Sequence, residues 1–409
     1  MKTYAIAGTG VRARYMFAKP IVQDWRETSA LVGLYDANRI RAERLAEECG
    51  GIPVYDSFAE MLADSKPDVV IVATTDSTHH LYIIDALLAG CDVISEKPMT
   101  IDGEKCRAIL EAERASGRKV IVTFNARYNP YVTRIKELLT EGAIGEPTHV
   151  LFEWNLDTSH GADYYRRWHR RMENSGGLLV HKSTHHFDMV NWWLGQDPLE
   201  VYAYGDRLFY GATREERGER CQGCAHAVGC EFYLDLSADP VLRAYYLEAE
   251  HRDGYIRDGC VFDESITIYD TMSLNVRYEG RKTMNYSLVS YSPFEGWRAV
   301  FHGTKGRMTA EVFTSGPRSD EPEQTIELHL HSGETLVERV PKRSGGHGGS
   351  DLLLQRRLFG PAMPDPLGHE ADSMAGALSL CVGAAANRSI AEGRPIRIRE
   401  LLEGGGESE

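Results

Sequence analysis

The sequence predicts an α/β chain of two domains: an N-terminal doubly wound parallel sheet, then a C-terminal α+β domain with an open, mainly antiparallel sheet. Three observations predict it. At 409 residues the chain exceeds what one ordinary core organises. Short apolar runs alternate with helical patterns as far as residue 124, as parallel βαβ units require. Beyond Gly145 the pattern turns to runs of alternating apolar and polar residues with short glycine turns, the mark of antiparallel strands covered on one face. The expected division is residues 1–125, residues 126–400 with a cysteine-rich insertion at about 211–260, and a frayed tail over 401–409.

In the first third, the strand Tyr4–Ala7 runs into Gly8-Thr9-Gly10-Val11-Arg12-Ala13, which fits a G-x-G-x-x-G/A turn. Gly8 permits the tight turn, Gly10 lets backbone approach a pyrophosphate, and the following helix aims its amide dipoles at phosphate. A second strand, Leu31–Tyr35, ends at Asp36, at the distance expected of a ribose-binding acid. Its carboxylate accepts from a 2′-hydroxyl and repels a 2′-phosphate, so NAD is expected over NADP despite the nearby Arg39 and Arg41. Helices are expected over 39–49 and 58–64, then a continuously apolar, β-branched strand over 68–73. That strand ends in Thr74-Thr75-Asp76-Ser77-Thr78-His79-His80, polar groups at the same sheet edge. A helix over 81–89 leads to the strand Val93-Ile94-Ser95-Glu96, closed by Lys97-Pro98, and a helix over 103–116 and a strand over 119–124 complete about six strands. Ligands gather at the carboxyl ends of such strands, which makes Lys97 the first catalytic candidate. Pro98 holds Lys97 out of helical geometry and admits a cis bond.

Composition narrows the function. With 46 basic against 60 acidic residues the formal net charge is -14, which opposes a polyanion and excludes nucleic acid as a natural partner. The start lacks a charged region followed by a long apolar run, and no later run reaches membrane-spanning length, so a soluble cytoplasmic protein is expected.

Together, Ala5-Ile6-Ala7-Gly8-Thr9-Gly10, Thr74-Thr75-Asp76-Ser77-Thr78-His79, Glu96-Lys97-Pro98 and Phe124-Asn125-Ala126-Arg127-Tyr128 resemble the Gfo/Idh/MocA oxidoreductases, the glucose-fructose oxidoreductase and inositol dehydrogenase family. The resemblance implies a Rossmann domain, a second domain on an open sheet, a tightly held nicotinamide cofactor, and sugar or cyclitol substrates. By position it implies that Gly8, Gly10, Asp36, Thr74, His79, Glu96, Lys97 and Arg127 lie near the cofactor, with Lys97 facing the reacting carbon. Thr9, Val11, Arg12, Thr75 and Asn125 complete the expected cofactor set.

The second half is expected to open with a helix over 131–140 and to carry strands over 148–154, 265–278, 282–290, 297–302, 307–312, 325–330 and 335–340. A glycine-rich loop over 344–351 reads equally as linker or as substrate-facing through His347. Helical segments around 376–392 and an extended 395–398 follow. One helix over 175–188 is expected to stack His181, His185 and Asp188 on a single face, since they stand four and three residues apart. In the resembling family this helix carries an acid and, four residues later, a histidine beside the substrate. His185 matches the histidine, whereas His181 stands where the acid is usual. The expected chemistry is a relay in which Lys97 and His185 share the substrate hydroxyl proton while His181 orients one of them. Lys97, Arg127, Trp154, Trp168, His181, Lys182 and His185 are the expected substrate-binding residues, with Tyr164 as further pocket lining. A metal clasped by His181 and His185 is the rival reading of this helix, one that lacks a third ligand.

Cys221-Gln222-Gly223-Cys224, then Cys230 and Cys260, read as a structural four-thiolate site, with zinc preferred over an iron-sulfur cluster and His226 and His251 in reserve. The charged stretch around them is short of core residues and would need such a support. The function expected is an NAD-dependent dehydrogenase acting on a ring hydroxyl of a sugar, glycoside or cyclitol. The alternative in the same fold is a redox-assisted glycosidase or lyase that regenerates its cofactor, and the reading from another class is a non-catalytic NAD-binding sensor. The open sheet face suggests a homodimer or homotetramer.

Overall fold

A computed structural model describes residues 1–403, so most of the tail expected over 401–409 lies outside the described residues, while Leu401 and Leu402 close a short helix, Ile398–Leu402. The first domain is built on β1 (Lys2–Ala7), β2 (Ser29–Tyr35), β3 (Val69–Val72), β4 (Asp92–Ser95) and β5 (Val120–Val122), all parallel in the order β5-β4-β3-β1-β2. Every residue of β3 is buried, as its run of β-branched side chains requires for a strand covered on both faces.

The second sheet holds nine strands: β6 (Pro147–Asp157), β7 (Pro198–Asp206), β8 (Thr271–Tyr278), β9 (Thr283–Ser292), β10 (Gly296–Gly303), β11 (Gly306–Phe313), β12 (Glu323–Leu330), β13 (Thr335–Pro341) and β15 (Ile396–Arg397). Their order is β13-β12-β11-β10-β6-β9-β8-β7-β15, antiparallel except for the β6–β9 pair. Along β8 and β9 buried and outward residues alternate, which covers one face and leaves the other open.

The sixth strand of the first sheet comes from far along the chain. β14 (Ala371–Asp372) pairs antiparallel with the outer edge of β5, so the C-terminal segment contributes to both domains. Directly after it, the long helix Ser373–Glu392 packs across β5, the helix Gly103–Ser116, β7 and the helix Thr184–Leu194. Gly383 lets that helix touch the backbone at Leu179: a Cβ there would stand 2.1 Å from the Leu179 carbonyl oxygen.

Several expectations change. The strand expected over 265–278 begins only at Thr271, because the Asp270 carboxylate turns to accept the N–H groups of Leu208, Phe209 and Tyr210 at 2.8–3.0 Å. β7 was not anticipated. The excursion between the neighbouring strands β7 and β8 covers residues 207–270, wider than the insertion expected at about 211–260.

The four-thiolate site is not formed. Cys221, Cys224, Cys230 and Cys260 are all free thiols, and among the described residues no group of three or more His, Cys, Asp or Glu is placed to hold a metal ion. That result also removes the metal reading of His181 and His185. The insertion is held by other means. Arg220 bridges Glu250 and Asp258 at 2.9 and 2.6 Å, Asp258 accepts the Gln222 N–H at 2.8 Å, and the Arg166 guanidinium faces the Cys221 Sγ at 3.4 Å. Aromatic packing among Phe209, Tyr210, Phe232 and Phe262 supplies the apolar contacts that the charged sequence hides. Among the described residues no helix is long and apolar enough to cross a membrane.

Candidate active site

One cavity of about 1070 Å³ runs along the carboxyl ends of β1, β2, β3 and β4 and under the second domain. Its first end is the glycine turn. Gly8 has φ +90° and packs so closely on the next crossover that a Cβ would stand 2.5 Å from the Ala73 carbonyl oxygen. Gly10, Val11 and Arg12 line the cavity, and so does Asp36 at the tip of β2. Asp36 is held firmly: the Thr9 N–H and hydroxyl donate to its Oδ2 at 2.7 and 3.0 Å, and the Asn38 N–H donates to Oδ1 at 2.7 Å. Thr9 itself is fully buried and orients Asp36 from behind. Arg12 Nε donates to Glu96 at 2.7 Å, and Asn125 donates to Asp351 at 2.6 Å. Thr74 and Thr75 line the wall; His79 also borders it, its ring spanning the Thr74 and Pro98 carbonyls at 3.1 and 2.9 Å and tying two loops together.

The other end gathers the chemistry. Lys97 follows β4, and its peptide bond to Pro98 is cis. Its Nζ donates to the His181 carbonyl oxygen at 3.1 Å, which joins the two domains at this amine. Burial pulls the Lys97 ammonium down to about 8, against the opposing pull of the Asp76 and Glu96 carboxylates. His181 Nδ1 meets Asp76 Oδ2 at 2.5 Å, leaving Nε2 as the free ring nitrogen. Burial pushes Asp76 well up and, with the Lys97 charge, pushes His181 and His185 well down, so the imidazoles are neutral proton acceptors near neutrality. His185 lines the same cavity, and its Nδ1 is buried without a partner.

The helix expected to carry His181, His185 and Asp188 on one face is broken into Leu178–His181 and Thr184–Leu194, with Lys182 and Ser183 between them. The break separates His181 from the other two, and Asp188, on the same unbroken segment as His185, faces the core, where it accepts from Arg127 Nε and Nη2 at 2.8 and 2.6 Å. Arg127, expected at substrate, is thereby a structural residue and does not line the cavity.

Trp154 does line it, stacked on His186 with centroids 4.1 Å apart and with the Lys182 Nζ 4.8 Å above its ring. Trp168 stacks on His169 with centroids 3.7 Å apart. Tyr164 donates to His160 Nε2 at 3.1 Å, while His160 Nδ1 donates to Glu295 at 2.8 Å. His347 borders the cavity from the glycine loop and pairs with Asp351 at 2.8 Å. Asp76, His160, His169 and Glu295 were missed. Only Asp76 carried a signal, since it stands in the polar run at the end of β3.

Comparison with known proteins agrees with this architecture. The model described as "Oxidoreductase family, NAD-binding Rossmann fold" matches residues 2–124, and that described as "Oxidoreductase family, C-terminal alpha/beta domain" matches residues 136–398. YteT of Bacillus subtilis (strain 168), named as a candidate oxidoreductase, is 41% identical over 428 residues, covering 98% of this chain and 99% of that protein. An inositol 2-dehydrogenase of Rubrobacter xylanophilus is 29% identical over 181 residues, 43% of this chain and about half (48%) of that protein. Among solved structures, the WlbA dehydrogenase of Bordetella pertussis in complex with NADH and UDP-GlcNAcA shares the fold with a TM-score of 0.66 at 20% identity, covering 97% of this chain and 99% of that one. With one family model matching each half, and together most of its length, this chain is a member of the Gfo/Idh/MocA oxidoreductase family.

Proposed function

We propose that this chain is an NAD-dependent dehydrogenase that exchanges a hydride with the carbinol carbon of a sugar, glycoside or cyclitol. The observation that carries the reading is the shared cavity: Gly10 and Asp36 border one end, and Lys97, His181 and His185 border the other. The residues present fit a dinucleotide. The backbone of the glycine turn is open to the cavity, Asp36 is oriented as an acceptor, and the buried Arg41 Nη1 at the ribose end has no partner. When bound, the nicotinamide supplies the hydride acceptor or donor.

The chain's own residues then handle the proton and the positioning. Lys97 in its neutral form accepts the hydroxyl proton as the carbon is oxidised, and the neutral His185 ring shares that proton or passes it on. The Asp76–His181 pair fixes the loop whose carbonyl holds Lys97 Nζ, so it positions the base from the opposite domain. Asp76 thereby returns to the site the carboxylate that the family helix lacks here. Trp154, Trp168 and Tyr164 offer flat apolar faces beside polar atoms, the combination that recognises a sugar ring. The names of the relatives, an inositol 2-dehydrogenase and a dehydrogenase solved with a nucleotide sugar, support the same substrate class. The redox-assisted elimination gains no observation of its own.

The test is a panel of sugars, uronates and cyclitols with NAD and then NADP, following the absorbance of the reduced nicotinamide. Reduced cofactor forming in step with oxidised product supports the reading; cleaved glycoside with no net reduced cofactor rejects it. The uncovered face of the second sheet, where Leu151 and Tyr204 are exposed, supports assembly into a dimer or tetramer, which sedimentation tests.

A further inference from the structure

The excursion between β7 and β8 reaches back over the first domain and covers the ribose end of the cavity. The Tyr246 hydroxyl accepts the Val11 N–H at 3.2 Å, the Ala249 carbonyl accepts from Asn38 Nδ2 at 2.8 Å, and Glu248 pairs with Arg44 at 2.7 Å. At the centre of this contact Arg41 lies between two carboxylates, Asp36 at 3.3 Å from its own domain and Asp253 from the excursion. Arg41, Asp36, Tyr246 and Asp253 all border the cavity, and Arg41 is 12% exposed. Arg39, the other cation near the tip of β2, is turned outward to Glu43 and Asp56.

An arginine within reach of the ribose is the group a 2′-phosphate would seek, because its planar fork matches phosphate oxygens. Here one arm of that fork, Nη2, already meets both carboxylates, while the other, Nη1, is buried without a partner. Two carboxylates against one guanidinium give this three-residue cluster a net negative charge, which accepts a hydroxyl and repels a phosphate dianion. We propose that Asp253, a residue of the second domain, is a determinant of dinucleotide choice: it holds Arg41 away from a 2′-phosphate and so excludes NADP. Asp253 is a positioning residue acting through Arg41. The inference rests on the nicotinamide-cofactor reading above.

Calorimetric dissociation constants for NAD and NADP, measured on the full chain, test it without recourse to turnover. In Asp253→Asn, NADP affinity should rise about tenfold, the worth of one hydrogen bond to a charged group, while NAD affinity changes less than about threefold. Asp253→Glu keeps the charge and should retain wild-type discrimination. The gain should vanish in the double variant Asp253→Asn with Arg41→Ala. An unmoved NADP affinity, an equal gain for both dinucleotides, or a gain that persists without Arg41 overturns the proposal. A wild-type chain that binds neither dinucleotide removes the cofactor reading and this inference with it, whereas NAD binding with unmoved NADP affinity removes only the role of Asp253.

Discussion

Two buried carboxylates meet basic partners near the same broken helix and end in opposite roles. Asp188 takes Arg127 through two hydrogen bonds in the core, with side chains 1% and 7% exposed and no access to the cavity. Asp76 takes His181 through one short contact on the cavity wall, next to Lys97. An arginine is charged at every accessible pH, so its pair is fixed structure. A histidine has a neutral form, and burial holds His181 in it, so its free Nε2 can accept a proton from chemistry beside it. The distinction lies in the partner and the wall it faces, because both pairs are largely hidden from bulk water.

The sharpest way to break this contrast is at the amine between the domains. Lys97→Ala should lower turnover by about 10³-fold, near the middle of the range for a lost acid–base group, and leave NAD affinity by calorimetry within a few fold. Turnover close to that of the unaltered chain would take Lys97 out of the mechanism. Asp76→Asn should come next, at about 10²-fold in kcat with little change in melting temperature. Arg127→Ala should do the reverse. Leaving Asp188 buried and unpaired should cost about 3–5 kcal/mol, read as a shifted denaturant midpoint, while the folded fraction keeps kcat within about fivefold. Matching stability losses in the Asp76 and Arg127 variants would erase the contrast. The smallest effect is with pH. Lys97 is pulled down to about 8, and only its neutral form accepts a proton. Alcohol oxidation measured as kcat/KM should therefore climb as pH rises through about 8 and level above it, and reduction of the ketone should decline over the same interval. A profile flat across that interval would show that Lys97 carries no proton in the rate-limiting step.

The parallel half of the fold was legible because each signal there is local. Gly8 and Gly10 follow a strand directly, Asp36 ends the next one, and Lys97 ends the fourth. The C-terminal half was legible only in part. His185 and Trp154 border the cavity as expected, but helical spacing misplaced Asp188: three residues beyond His185 on the same helix, it meets Arg127, 61 residues earlier, which spacing cannot announce. Asp76 was passed over as one more polar loop residue; its partner lies 105 positions later, beyond the reach of any periodicity. The cysteine spacing suggested a metal because the stretch seemed too charged to hold itself, whereas Arg220, Asp258 and the phenylalanines around it do so. Asp253 falls in the same class: its meaning comes from Arg41, 212 residues earlier.

The late return of β14 to the outer edge of β5 bears on how the molecule can be divided. A fragment stopping near residue 125 would carry an open rim of unpaired amides and carbonyls along Ile121 and Val122. It would also bare Val122 and Met99, which Gly376 of the closing helix touches in the intact chain. The nucleotide half is therefore a poor candidate for separate expression or for transplanting between relatives, and useful chimeras would need to carry residues 371–392 along with it.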